Sequence, residues 1–303
     1  MKNMKGGVAV VTGGGSGLGK AMALEAARRG MRVVIADVQP EAMNAAVEEL
    51  RAGGAEAFGV LTDVTSAASV DTLAEAVERQ FGPANLVFNN AGVASGGPIW
   101  ESTENDWKWV FAVNVDGVAN GVRTFTPRML AAAAADPVYQ GCIVNTASMA
   151  GLVTGPGMGI YSVSKHAVIA ISECLYHDLD LVGDQVKTAV LCPSYVSTNI
   201  SQCYRTRPAD FANDSGPTKS QLATQAISAK DLANGSLTPA EVASITFHAI
   251  EAGQFYIYPS PELLPIVKNR LDHIVDGSNP DIPYEDIPMF KERRDRLKEA
   301  LAS

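Results

Sequence analysis

No stretch of this sequence reaches the roughly 20 uninterrupted apolar residues that a helix needs to cross a bilayer. Nor does Met1 to Gly7 carry a signal-peptide core or a small-residue cleavage site; Lys2 and Lys5 lead straight into a strand-like run. A soluble, cytoplasmic chain with no membrane partner is the expectation. Basic side chains are outnumbered, 24 Lys and Arg against 33 Asp and Glu, for a formal charge of −9. Binding a phosphate backbone needs clustered cations, so no nucleic-acid partner is expected. Cysteine is scarce: Cys142, Cys174, Cys192 and Cys203 form no Cys-x-x-Cys pair and share no zinc-like spacing with the four histidines. Reduced structural thiols and no metal site follow. Internal repeats are absent, and the one low-complexity run, Ala131 to Ala135, reads as the tail of a helix.

What is present is an alternation. Short continuous apolar runs, of the kind buried on both faces of a parallel sheet, fall near Val8 to Thr12, Arg32 to Ala36, Ala57 to Leu61 and Leu86 to Asn89. Three more fall near Cys142 to Thr146, Val186 to Leu191 and Phe255 to Tyr258. Between them run helical patterns such as Val70, Leu73, Ala74, Val77 and Phe81. One long helix is expected over Glu104 to Ala135 and another over Tyr161 to Val182, with C-caps at Gly30, Gly53 and Gly82. Right-handed βαβ crossovers build this order into a single α/β domain spanning 1–303, a doubly wound Rossmann-type fold on a seven-stranded parallel sheet. The polar, Pro- and Gly-containing segment Tyr195 to Gly235 is too long for an ordinary connection and is read as a substrate lid. After Tyr258, helices over Pro261 to Val275 and about Met289 to Leu301 form a C-terminal extension, about 261–303, along the pocket or an interface.

Chemistry concentrates in three places. Thr12-Gly13-Gly14-Gly15-Ser16-Gly17-Leu18-Gly19 follows a predicted strand and opens a predicted helix, where glycines let backbone N–H groups approach a pyrophosphate. Asp37, at the end of the second strand, is positioned for the adenosine ribose hydroxyls. Its charge would repel a 2′-phosphate, and neither Ser16 nor Val38 supplies a compensating cation, which favours NAD over NADP. The third is Tyr161-Ser162-Val163-Ser164-Lys165, with Ser148 thirteen residues earlier. Tyr161 and Lys165 are neighbours on a helix face, so the ammonium is expected to lower a phenol pKa that starts near 10. Ser148, at a strand end, can donate to a substrate oxygen.

These motifs resemble the short-chain dehydrogenase/reductase family from Val8 to about Tyr258, together with Asn89-Asn90-Ala91-Gly92, Asp63 and Asn114. The resemblance implies that Asp63 and Val64 contact adenine and that Asn90, Ala91 and Gly92 line the cofactor. It implies that Lys165 binds the nicotinamide ribose, and that Asn114 holds a water completing a proton relay with Ser148, Tyr161 and Lys165. The chain departs from many relatives in having Pro193-Ser194 after the sixth strand where Pro-Gly is frequent; Val196 and Thr198 would still address the nicotinamide amide. Gly97-Pro98-Ile99, Asn114 to Met129, Ser197 to Ile200, Arg207-Pro208 and the long C-terminus are similar to bacterial Cα-dehydrogenases of lignin-derived aryl ethers. That likeness implies a bulky, apolar or aromatic secondary alcohol or ketone, with Trp100, Met149, Met158, Tyr195 and Tyr204 around the reacting carbon. It also implies a homodimer or homotetramer.

His166 is set aside because the residue after Lys165 points about 100° from the Tyr161 face. Glu173, Asp178 and Asp180 read as solvated-face or interface charges, and Cys192 as a small core residue. Two other readings stay open: an NADPH-linked ketone reductase, and a cofactor-binding sensor that has kept the fold with little turnover.

Overall fold

Val8 and Val10 face one side of the central strand, Ala9 and Val11 the other, and all four are fully buried. Period-two alternation with apolar residues on both faces requires a layer of helices on each side. The computed structural model, which describes residues 1, 4–280 and 288–302 (without the side chains of 288 and 289), has that arrangement. Lys2, part of the expected C-terminal extension and Ser303 lie outside the described residues.

The strands are β1 (Val8–Thr12), β2 (Arg32–Asp37), β3 (Ala57–Leu61), β4 (Leu86–Asn89), β5 (Gly141–Thr146), β6 (Val186–Leu191) and β7 (Tyr256–Ile257). They pair in parallel in the order β3-β2-β1-β4-β5-β6-β7. The chain direction across the sheet reverses between β1 and β4, which opens a crevice at the carboxyl ends of those strands. The helices are α1 (Gly17–Arg28), α2 (Pro40–Ala52), α3 (Ala67–Phe81), α4 (Glu104–Phe111) and α5 (Gly117–Ala135). They continue as α6 (Gly159–Asp180), α7 (Lys219–Ala233), α8 (Pro239–Ala252), α9 (Leu264–Asp276) and α10 (Pro288–Ala302).

Ala9 and Val11 share a core with Met22 of α1, Val47 of α2 and Phe247 of α8. Val8 and Val10 share the opposite core with Leu73 of α3, Phe125 of α5 and Leu175 of α6. Each such buried aliphatic side chain contributes about 1.5–3 kcal/mol.

One expectation changes. The helix expected over Glu104 to Ala135 is split into α4 and α5 by a π-helical turn at Ala112–Asp116. Widening the turn by one residue turns Asn114 inward, where its carboxamide is tied to Val93 and Ser164. The segment Tyr195 to Gly235 carries 3-10 turns at Asn199–Thr206 and Ala209–Phe211, then α7, opened by a Thr218–Gln221 capping box. No helix among the described residues is long and apolar enough to cross a membrane.

Candidate active site

The glycine turn is shaped by contacts that exclude side chains. Gly13 and Gly17 have φ of +62° and +52°, a region that L side chains rarely occupy. A Cβ on Gly19 would sit 2.1 Å from the Gly13 carbonyl oxygen, and one on Gly13 would sit 2.9 Å from the Ala91 Cα. Ser16 precedes α1 in extended conformation with no side-chain cap, so the first N–H groups of the helix are not satisfied from there. Asp37 is buried at the end of β2, its Oδ2 accepting from the Gly15 N–H at 2.9 Å and its Oδ1 from the Gln39 N–H at 3.0 Å. The carboxylate thus braces the loop and brings a negative charge to the rim. Val38 beside it is exposed and Ser16 is neutral, so no cation stands at those positions.

Asn90 fastens three strand ends. Its N–H donates to Thr12 Oγ1 at 2.9 Å, its Nδ2 donates to the Thr12 carbonyl at 3.0 Å, and its Oδ1 faces Thr146 Oγ1. Asp63 closes a turn by accepting from both the N–H and the hydroxyl of Thr65. A cleft of about 400 Å³ runs along these groups. Every residue expected to touch the dinucleotide lines it, from Gly13, Ser16, Gly17, Leu18 and Gly19 through Asp37, Asp63, Val64, Asn90, Ala91 and Gly92 to Tyr161, Lys165, Pro193, Val196 and Thr198. An anion-binding helix start, a carboxylate at one end and a buried ammonium at the other fit a nicotinamide dinucleotide.

A second cavity of about 770 Å³ adjoins it, lined by Met149, Met158, Tyr195 and Tyr204 among others. Trp100 lies elsewhere: it is 76% exposed on the 3-10 turn Ile99–Glu101 and lines neither cavity. Glu101 explains why. Its carboxylate accepts from the Thr218 and Ser220 hydroxyls, pinning this turn to the start of α7 and leaving the indole outside.

Ser148 and Tyr161 line both cavities. Ser148 ends the segment after β5, its Oγ accepting from the Ala150 N–H at 3.1 Å and donating to the Pro193 carbonyl at 3.3 Å. Lys165, one turn along α6 from Tyr161, is buried; its Nζ donates to the Thr146 carbonyl at 2.8 Å and lies 5.7 Å from the Tyr161 ring centroid.

The electrostatics differ from expectation. Burial pushes the Tyr161 phenol up to about 12, and a hydrogen bond with Ser148 pulls in the opposite direction without prevailing. Burial likewise brings the Lys165 amine down to about 8. Taking both groups out of water penalises phenolate and ammonium alike, and the ammonium is oriented on a carbonyl rather than on the phenol oxygen. Asn114 lines neither cavity. It stands behind Gly92, where a Cβ would lie 3.4 Å from Asn114 Oδ1 and 3.5 Å from Lys165 Nζ.

Sequence reasoning missed Trp109, which lines both cavities, and Arg293, buried on α10 against the larger one. Trp109 belongs to the helical stripe of α4, and Arg293 stands in a run of similar charges, so local pattern marks neither.

A family model described as short chain dehydrogenase matches residues 7–209. The chain is 33% identical over 289 residues to a CLA biosynthesis dehydrogenase/reductase of Lactiplantibacillus plantarum, covering 94% of this chain and 99% of that protein. It is also 33% identical over 281 residues to a C alpha-dehydrogenase of Sphingobium sp., covering 92% and 89%. Among solved structures, a short chain dehydrogenase/reductase from Burkholderia phymatum in complex with NAD superposes with a TM-score of 0.91 at 47% identity, covering 94% of this chain and 100% of that one.

Proposed function

The chain belongs to the short chain dehydrogenase family, and from that premise we propose that it moves a hydride between NAD and a bulky, largely apolar secondary alcohol or ketone, with Tyr161 as acid/base. One observation carries the reading: Ser148 and Tyr161 stand in the wall shared by a dinucleotide-shaped cleft and a large cavity. A substrate carbinol held there meets both hydroxyls on one side and the cofactor cleft on the other.

In this reading Ser148 holds the substrate oxygen, and Tyr161 takes the alcohol proton or returns it in reduction. A bound oxidised nicotinamide supplies the hydride acceptor and a positive charge. Lys165 binds ribose hydroxyls, and its ammonium favours the phenolate once a cation joins it beside Tyr161. Asn114 connects Lys165 to a relay through the space beside Gly92. Met149, Met158, Tyr195 and Tyr204 enclose the apolar body of the substrate; Trp100 has no part in this. NAD is preferred because Asp37 would repel a 2′-phosphate, and the Burkholderia phymatum relative was crystallised with NAD.

Tyr161→Phe is expected to lower kcat by at least about 100-fold while NADH affinity, read by fluorescence titration, changes less than about twofold. Activity retained in this variant would sink the role given to Tyr161. Wild-type inactivity across a graded panel of secondary alcohols would favour the sensor reading. Steady-state kinetics with both cofactors distinguishes the remaining alternative, since a clear preference for NADPH contradicts the role given to Asp37. Exposed Tyr176, Leu181, Val182 and Tyr256, near the β6–β7 edge, support a homodimer or homotetramer. We place the protein in the cytoplasm, in keeping with its four free cysteines.

A further inference from the structure

Two arginines line the larger cavity, and they are not equivalent. Each nitrogen of Arg207 has a partner: Nη1 donates to Asp106 Oδ1 at 2.6 Å, Nη2 to Asn213 Oδ1 at 3.0 Å and Nε to the Phe211 carbonyl at 2.8 Å. Its guanidinium also lies over the Trp109 ring. Charge and geometry are both satisfied, so Arg207 clamps the turn after the sixth strand to α4.

Arg293 is buried to 3% exposure, yet its nearest partners are neutral hydroxyls. Nη1 donates to Tyr195 Oη at 2.9 Å and Nη2 to Ser228 Oγ at 2.8 Å. Nε has no hydrogen-bond partner among the described residues. Asp231 Oδ2 forms a long buried ion pair with Nη1 at 3.8 Å, beyond hydrogen-bonding distance, and accepts no hydrogen bond from the described residues. Asp231 does not line the cavity, so its carboxylate lies away from any ligand held there. Among the described residues this buried cation has an unused donor and no hydrogen-bonded anion, an arrangement that is energetically unfavourable. An anion held in the cavity, which Arg293 lines, would lower that cost.

Tyr195 extends the same site. Because its oxygen accepts from Arg293, its O–H remains a donor, strengthened by the adjacent cation. Tyr161, Tyr195 and Arg293 line the same cavity, so the cationic group and the reacting hydroxyl face one shared space. Met149, Val153, Leu222 and Ile266 supply apolar wall, interspersed with polar side chains such as Gln221 and Gln225.

We propose that Arg293 and Tyr195 form an anion-recognition site within the substrate cavity, and that the preferred substrates are apolar secondary alcohols or ketones bearing a carboxylate a few bonds from the reacting carbon. The substrate class rests on the dehydrogenase reading above; the anion site can be tested apart from it.

Three aryl ketones that share one reacting carbon make the test: 4-oxo-4-phenylbutanoate, its neutral primary amide and butyrophenone, each reduced with NADH. For the wild type, kcat/KM for the acid should exceed that for the amide by about tenfold or more, the worth of one hydrogen-bonded ionic contact. Arg293→Gln should bring the ratio near one, Arg293→Lys should keep part of it, and Tyr195→Phe should reduce it severalfold. Taking the ratio within each variant removes any general loss of activity. Calorimetry on the cofactor-free wild type should give tighter binding of 4-phenylbutanoate than of 4-phenylbutanamide, which needs no variant to fold. Equal binding of acid and amide, or an acid preference that survives Arg293→Gln, overturns the proposal. Arg293-dependent binding of the acid without reduction of any ketone would keep the anion site and defeat the dehydrogenase reading instead.

Discussion

Lys165 shows how burial sets the behaviour of a single group. Its amine is held down to about 8, against an ordinary 10.5, by desolvation. The folded chain therefore holds this proton less tightly than the unfolded chain. Between about pH 8 and pH 10.5 unfolding takes up a proton, and the contribution of Lys165 to stability rises with pH, by at most about 1.4 kcal/mol per unit. Cys142 and Cys192, whose thiols burial pushes up to about 12, act in the opposite sense once unfolded thiols ionise. The difference between wild type and Lys165→Met isolates the lysine: urea unfolding from pH 8 to 9.5 should give a more positive slope of stability against pH for the wild type. Equal slopes would mean that the amine is not desolvated. Tyr161 has the converse shift, so alcohol oxidation should rise with pH and ketone reduction should fall.

At the scale of an element, the β1–α1 turn leaves no room at Gly19. Alanine there would drive its Cβ against the Gly13 carbonyl and the Asn90 carboxamide, which lie 2.1 and 2.6 Å from the ideal position. Because the carbonyl is backbone, relief requires the turn itself to move. Gly19→Ala should weaken NADH binding at least about tenfold and cost about 1–3 kcal/mol of stability, read by fluorescence titration and thermal denaturation; unchanged affinity would show that the turn does not set the cleft. The 3-10 turn carrying Trp100 makes a useful contrast. With the indole 76% exposed, Trp100→Ala should leave kcat/KM within about twofold of the wild type and alter stability by no more than about 0.5 kcal/mol. Sequence placed this residue in the pocket because it stands on a loop at the right end of the sheet. The side on which a loop residue projects depends on partners such as Glu101, Thr218 and Ser220, which come from distant positions.

For the whole molecule, the cavity is closed by parts of the chain far apart in sequence: the segment after β6, α7, and α10 with Arg293 and Leu297 buried. We expect the segment Tyr195 to Gly235 to tighten over bound substrate, seen as slower limited proteolysis there with NADH and a substrate analogue together; equal cleavage rates would argue against it. Strand positions, the parallel sheet and the glycine turn were legible in sequence, since each depends on local apolar period and on residues adjacent in the chain. So was the Tyr161–Lys165 adjacency, which follows from helical spacing alone. The π-helical turn at Asn114, the outward Trp100 and the buried Arg293 were not. The elevated phenol and depressed amine also depended on tertiary structure, because desolvation is produced by what packs around a group rather than by its neighbours in sequence. Sequence by itself determined the sheet and the chemistry it can present; only the folded chain decided which side chains enclose the substrate and how water is kept from them.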